Sequence, residues 1–257
     1  MQVLVAIKRV PLTGGRIVLT PDGQDIDTRF LGFAVSPHEE CAVEEAVRLV
    51  EAQGGESVVL TLGAAAAEEQ LRDAMALGID RAVLLQADDG EWDPGATAAA
   101  ITDAIRAQEA AHGPFDLILF GNEAADTGDF QVAIRVAVAL DRPCLSGLKG
   151  LTVSDGRLQG RHEAAGGGWE TYDVPLPAVA SVKEGINLPR YPSVPGRLRA
   201  RRKEVEVVVP TPHPAGLVKL RLRVPVEQRA AVEILGRGAD AAPAVVDLLE
   251  RIGVLDA

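Results

Sequence analysis

The chain has 257 residues, 47% hydrophobic and 25% charged, which is enough apolar material for one large domain plus an arm and excludes a globally disordered polymer. Its net charge of −11 excludes long DNA or RNA as a partner, because a phosphate backbone needs a basic face. No apolar run is long enough to span a membrane. The start, Met1 followed by Gln2-Val3-Leu4-Val5-Ala6-Ile7, has neither a basic leader nor a small-residue cleavage site, so a cytoplasmic protein is expected.

Residues 2–10 form a continuous apolar run ending in Lys8-Arg9-Val10, the pattern of a central parallel strand. Residues 16–19 and 25–28 flank Thr20-Pro21-Asp22-Gly23, a hairpin turn. Ser36-Pro37-His38-Glu39 supplies a capping serine, a proline for the first helical position and a glutamate that completes a capping box. The helix predicted over 37–53 stops at Gly54-Gly55. Strands over 57–62, 81–85 and 115–120 then alternate with helices over 65–77, 94–112 and 129–140. Four strands alternating with helices predict an α/β fold: a doubly wound, mostly parallel sheet with helices on both faces.

Beyond Pro143 the pattern changes. Short strands over 151–153, 157–162, 170–174 and 178–182 predict an antiparallel extension of the sheet. Residues 183–195 carry three prolines and read as a loop. The basic stretch 197–203 reads either as an acid-seeking patch or as a solvated strand edge. The expected organisation is an α/β domain over 1–195 and an arm over 196–257. The arm ends in an amphipathic helix over 242–252 and has too little apolar material for a core of its own.

Cys41 and Cys144 form no CxxC pair, and His38, His112, His162 and His213 lack metal-ligand spacing, so no metal site is expected. There is no G-x-G-x-x-G, no P-loop and no G-x-S-x-G elbow, which points to binding and not turnover, with no catalytic side chain. Open α/β sheets bind ligands at the carboxyl ends of their strands, near the point where the winding reverses. That rule selects Ala6 to Arg9, Ser36-Pro37 and Leu62-Gly63. It also selects the loop of Gly121, Asn122, Glu123, Ala124, Ala125, Asp126, Thr127, Gly128, Asp129, Phe130, Gln131 and Val132. Helix starts at Pro37 and near Asp129 would face a nucleotide phosphate. Glu39, Glu40, Asp126 and Asp129 at the same places are also ordinary caps, so both readings stand.

Several segments together resemble the electron-transfer flavoprotein β subunits. They are Val3 to Val10, Cys41 to Leu49, Ala74-Met75-Ala76-Leu77-Gly78-Ile79-Asp80-Arg81-Ala82, Gly166 to Glu170, Leu176 to Val179, and Asn187-x-Pro189-Arg190-Tyr191, in order along the chain. The resemblance implies a heterodimer with an α subunit that holds most of an FAD. It also implies an AMP on the β subunit, at Ala6, Ser36, Glu39, Leu62 and the loop 121–132. Where many relatives have Asn-Pro-Phe-Cys, this chain has Ser36-Pro37-His38-Glu39, and the acidic loop differs as well. Residues 183–195 correspond to the family's recognition loop for flavin-dependent dehydrogenases such as acyl-CoA dehydrogenases. Ile186 stands at the anchor position and Leu188 nearby; an isolated apolar residue that folds back onto the surface is the plainer reading of Ile186.

The role implied is that of an electron carrier, delivering to a membrane quinone reductase or another acceptor. Alternatives are an electron-bifurcating relative with a second FAD in place of AMP, a nucleotide-binding regulatory module without flavin, and an enzyme acting on an adenylate. The missing phosphate loop and nucleophile count against the last of these.

Overall fold

The computed structural model describes residues 1–14, 17–87, 92–225 and 233–255. The chain divides into two compact units, Met1–Arg221 and Leu222–Ala257. The first unit begins with strand β1 (Gln2–Ile7), the short strands β2 (Arg9–Pro11) and β3 (Phe33–Val35), helix α1 (Pro37–Gln53), β4 (Glu56–Gly63) and α2 (Glu68–Leu77). It continues through β5 (Arg81–Gln86), α3 (Pro94–His112), β6 (Leu117–Gly121), α4 (Val132–Ala139), β7 (Cys144–Leu148), β8 (Gly150–Ser154), β9 (Arg157–Glu163) and β10 (Trp169–Pro175). It ends with β11 (Ala178–Val182), α5 (Val194–Ala200) and β12 (Glu206–Val208).

Seven strands form one sheet in the order β12-β5-β4-β1-β6-β11-β7, with every pairing parallel. A strand covered on both faces sends alternate side chains to opposite cores. Val3, Val5 and Ile7 of β1 meet Ala42, Ala46, Leu71 and Met75 from α1 and α2. Leu4 and Ala6 meet Ile101, Ile105, Val136 and Ala137 from α3 and α4. β6 divides in the same way, Leu117 and Leu119 against Ile118 and Phe120. The sheet is thus doubly wound. The chain steps from β1 to β4 to β5 on one side, then restarts with β6 on the other side of β1. The winding reverses between β1 and β6.

Three parts differ from expectation. β11 is a parallel strand inserted between β6 and β7, with all five residues buried, and β8, β9 and β10 form a separate antiparallel sheet, not an extension of the main one. Gly160 of β9 lies against β7, where a Cβ would meet Leu148 Cδ2 at 2.7 Å. Secondly, β7 escaped prediction because Ser146 and Gly147 interrupt it. Gly147 has φ +68°, and the register against β11 shifts between Ala180 and Val182.

Thirdly, α5 lies across the stretch read as loop and basic patch. Ser193 Oγ accepts the Gly196 N–H at 3.1 Å, and Pro195 sits in the first turn, where its missing N–H has no partner to lose. A Cβ on Gly196 would collide with the Ala76 carbonyl, so glycine brings α5 onto α2. Lys203 Nζ donates to the carbonyls of Ile79 (2.9 Å) and Asp80 (3.0 Å). The basic stretch is therefore the end of a helix packed on the domain, not a strand edge. β12 then joins the sheet beside β5, and the first unit reaches Arg221, past the expected boundary at 195.

The predicted hairpin near the start is a single antiparallel bridge, Leu19 to Ile26; Arg16 lies outside the described residues. In the second unit a 3-10 turn, Gly238–Ala241, leads into α6 (Ala242–Arg251), none of whose residues is buried. Among the described residues no helix is long and apolar enough to cross a membrane. Phe115 is 1% exposed in the α3/α4 core. Phe115→Ala is expected to destabilise the chain by ~3–5 kcal/mol, seen as a lower urea midpoint at unchanged slope.

Candidate functional site

Beyond Ile7 the chain leaves the sheet, and β2 pairs with β3 in an antiparallel ribbon standing on the carboxyl end of β1. The ribbon returns the chain to Ser36, which starts α1. Lys8 and Ser36 are thereby brought together at the reversal point, 28 residues apart in sequence. β1 and β6 are neighbours with Ala6 opposite Phe120, so Gly121 arrives at the same place.

Glu39, one turn into α1, is the group on which these elements meet. Its Oε2 accepts the Lys8 N–H at 3.1 Å and the Ser36 N–H at 3.4 Å. The residue is 7% exposed. Burial pushes its carboxyl group up from the ordinary 4.5 to about 8, against the opposing pull of the Lys8 and Ser36 hydrogen bonds. A Cβ on Gly121 would lie 2.5 Å from Glu39 Cγ and 2.9 Å from Glu39 N. Only glycine allows β6 to close so near the helix.

The loop after β6 folds over this point. Ser36 Oγ donates to the Glu123 carbonyl at 3.4 Å, and Asn122 N–H donates to the Val182 carbonyl at 2.9 Å. Lys8 Nζ pairs with Asp126 at 2.8 Å and reaches Thr127 Oγ1 at 3.5 Å. His38 Nδ1 accepts the Glu184 N–H at 2.8 Å, which leaves Nε2–H directed to Glu123 Oε1 at 3.4 Å. Gly128 N–H closes a turn on the Ala124 carbonyl at 3.0 Å, and Gln131 N–H one on Asp129 at 2.8 Å.

Of the residues selected from sequence, Ser36, Glu39, Gly121, Glu123, Asp126 and Thr127 thus converge with Lys8. Ala6, Leu62 and Val132 pack into the α3/α4-side core, and Phe130 stands exposed. Sequence reasoning selected Lys8 only as part of the strand end Ala6 to Arg9, and gave His38 no role at the site. The signal for Lys8 was a cation directly following an apolar strand.

A phosphate-bearing ligand needs donors, and those of Lys8 and Ser36 are already paired. The two backbone N–H groups go to Glu39 and the lysine ammonium to Asp126. A phosphate brought to this crevice meets three carboxyl groups, those of Glu39, Glu123 and Asp126. The residues present do not fit AMP, nor the larger second FAD of a bifurcating relative.

The loop 183–193 is anchored along α1. Asn187 Nδ2 donates to the Cys41 carbonyl (2.9 Å) and to Glu45 Oε1 (2.8 Å). Arg190 binds Glu44 and Glu51, with Nε to Glu44 Oε2 at 2.9 Å and Nη1 to Glu51 Oε1 at 2.7 Å. Glu44 is 2% exposed and also takes Arg48 at 2.6 Å. Burial opposes its ionisation, yet the Arg190 and Arg48 hydrogen bonds hold it below the usual carboxylate range. Leu188, between the anchors, is 84% exposed, and Tyr191, just past Arg190, is 96% exposed. Ile186, for which the resemblance implied an anchor and the residues alone a side chain folded back, packs half-buried against the α1/α2 core.

An all-parallel, doubly wound main sheet with loops gathered at the reversal point defines a doubly wound α/β protein. Residues 27–213 match the family described as electron transfer flavoprotein domain. The chain is 35% identical over 209 residues to the electron transfer flavoprotein subunit beta of Bacillus subtilis (strain 168), covering 80% of this chain and 78% of that protein. It is 34% identical over 235 residues to the subunit of the same name from Syntrophomonas wolfei, covering 91% and 90%. The human subunit beta is 32% identical over 212 residues, covering 82% of each chain. The chain belongs to the electron transfer flavoprotein family, as a relative of its beta subunits.

Two outcomes follow from the site. The folded chain holds the Glu39 proton more tightly than the unfolded chain, so this group's contribution to stability is full below about pH 4.5 and is lost as pH rises to about 8. Glu39→Gln is expected to remove that slope, at most about 1.4 kcal/mol per pH unit, as measured by urea unfolding of both proteins from pH 5 to 9. Gly121→Ala is expected to cost ~1–3 kcal/mol through overpacking against Glu39, measured in the same assay at one pH.

Proposed function

We propose that this chain is the β subunit of a heterodimeric electron carrier that takes electrons from flavin-dependent dehydrogenases, such as acyl-CoA dehydrogenases, and passes them to a membrane quinone reductase or another acceptor. An α subunit holds most of the FAD, and the flavin supplies the redox chemistry. This chain shapes the flavin's surroundings and docks the donor, with no catalytic side chain of its own. The unit Leu222–Ala257, whose helix α6 buries none of its residues, lies on that α subunit. The cytoplasm is its proposed location.

The observation that carries the reading is the loop 183–193. Two apolar side chains stand in water, and the residues between and beside them are tied to α1 by a buried carboxylate and an asparagine. A fixed loop loses little entropy on docking, so an exposed leucine on it can act as an anchor for a transient partner. Leu188 and Tyr191 are the proposed contacts, and Ile186 supports the loop from below.

The test uses the chain co-expressed with its α subunit. Leu188→Ala is expected to keep the flavin content and to lower kcat/KM for reduction by a dehydrogenase about tenfold, the loss of roughly 1.4 kcal/mol of transition-state binding. Ile186→Ala is expected to lower the unfolding temperature and to affect that rate less. Wild-type kinetics in Leu188→Ala would sink the docking role, and a purified complex without FAD would sink the carrier itself.

A further inference from the structure

A parallel sheet leaves unpaired N–H groups where its strands end, and the crevice at the reversal point is where an open α/β protein receives an anionic ligand. In this chain the protein's own groups meet there. Glu39 is the third residue of α1, close enough to accept from both Ser36 and Lys8. Gly121, by having no side chain, lets β6 close down on it. Lys8 Nζ is turned to Asp126, and the loop carbonyl of Glu123 covers Ser36. Two contacts, from the Lys8 and Ser36 N–H groups, end on the Glu39 carboxyl group, Gly121 packs beside it, and Asp126 and Glu123 hold the Lys8 and Ser36 side chains.

We propose that Glu39 is a built-in substitute for a nucleotide phosphate, so that this chain completes its own crevice and carries no AMP and no second flavin there. The substitution explains why a carboxyl group sits buried at a helix start with two backbone donors and, among the described residues, no cation in direct contact. It also explains why the loop 121–132 is rich in acid. With the phosphate's place filled by Glu39, the loop has only Lys8 and His38 to satisfy, and Asp126 and Glu123 do so. The inference rests on the carrier reading for its choice of excluded ligands, and the two are separable by experiment.

The chain purified with its α subunit is denatured, and the released small molecules are separated and counted. About one FAD and less than ~0.1 AMP per heterodimer is the expected result, the AMP figure being the level of carry-over to expect from a site of no measurable affinity. About one AMP, or two FAD, per heterodimer would overturn the inference while leaving the carrier intact. No FAD would overturn the carrier reading, and the AMP count would still judge Glu39.

Thermal unfolding of the complex gives the second measurement. Added AMP is expected to leave the wild-type midpoint unmoved. A bound ligand at a hundredfold excess over its Kd would raise it by roughly 5–10 °C, and such a rise overturns the proposal. Glu39→Ala reopens the two donors, and added acetate or inorganic phosphate is expected to raise the midpoint of the variant but not of the wild type. Equal response of the two proteins to these anions would also count against the proposal. The AMP count on the wild type remains decisive if the variant does not fold.

Discussion

Backbone N–H groups at the end of a buried parallel strand must find a partner, because an unpaired one costs about as much as a lost hydrogen bond. β1 is the strand on which this falls hardest, since it lies between β4 and β6 in the middle of the sheet. Its exit is satisfied by a side chain from the helix that follows, and the geometry around it is arranged to allow that. The β2–β3 ribbon returns the chain to Ser36, α1 begins there, and Glu39 faces back at Lys8. Gly121 then admits the neighbouring strand.

The same helix serves a second purpose further along. Its first turn seals the crevice, and its middle turns hold the loop 183–193 through Glu44, Glu45, Glu51 and the Cys41 carbonyl. His38 belongs to both regions, accepting from Glu184 and pairing with Glu123. α1 thus joins the reversal point to the exposed loop as one rigid element. Buried Glu44 is kept ionised by two arginines; one alone would leave a dry carboxylate poorly compensated, which is costly. That cost fixes the loop where its apolar residues face solvent.

The winding of the fold was legible because it depends on periodicity. Apolar alternation with helical segments identified β1, α1, β4, α2, β5, α3, β6 and α4 in order, and the two-core split follows from the strand period of two. What escaped depends on contacts that periodicity does not encode. β7 is broken by Ser146 and Gly147, and its place was set by β11. α5 was hidden by prolines, of which one sits in its first turn. At the site, the convergence on the reversal point was legible from a general rule of open sheets. Which residue would fill the crevice was not. The capping box named Glu39 as a helix cap, and the resemblance named it as a nucleotide contact. Neither names what packs against it, which is Gly121, eighty-two positions away.

Ile186 shows the same limit from the other direction. The sequence left two readings of Ile186, an exposed anchor and a side chain folded back, because nothing local to a proline-rich loop says which face it turns inward. Yet Asn187 must reach Glu45 and the Cys41 carbonyl on α1, and that draws the preceding side chain onto the core. With Asn187 and Arg190 directed at the helix, Leu188 and Tyr191 are the side chains left facing outward. The outward face of the loop is therefore chosen by its polar anchors, and a relative that kept the asparagine and arginine would present the same two positions whatever residues filled them.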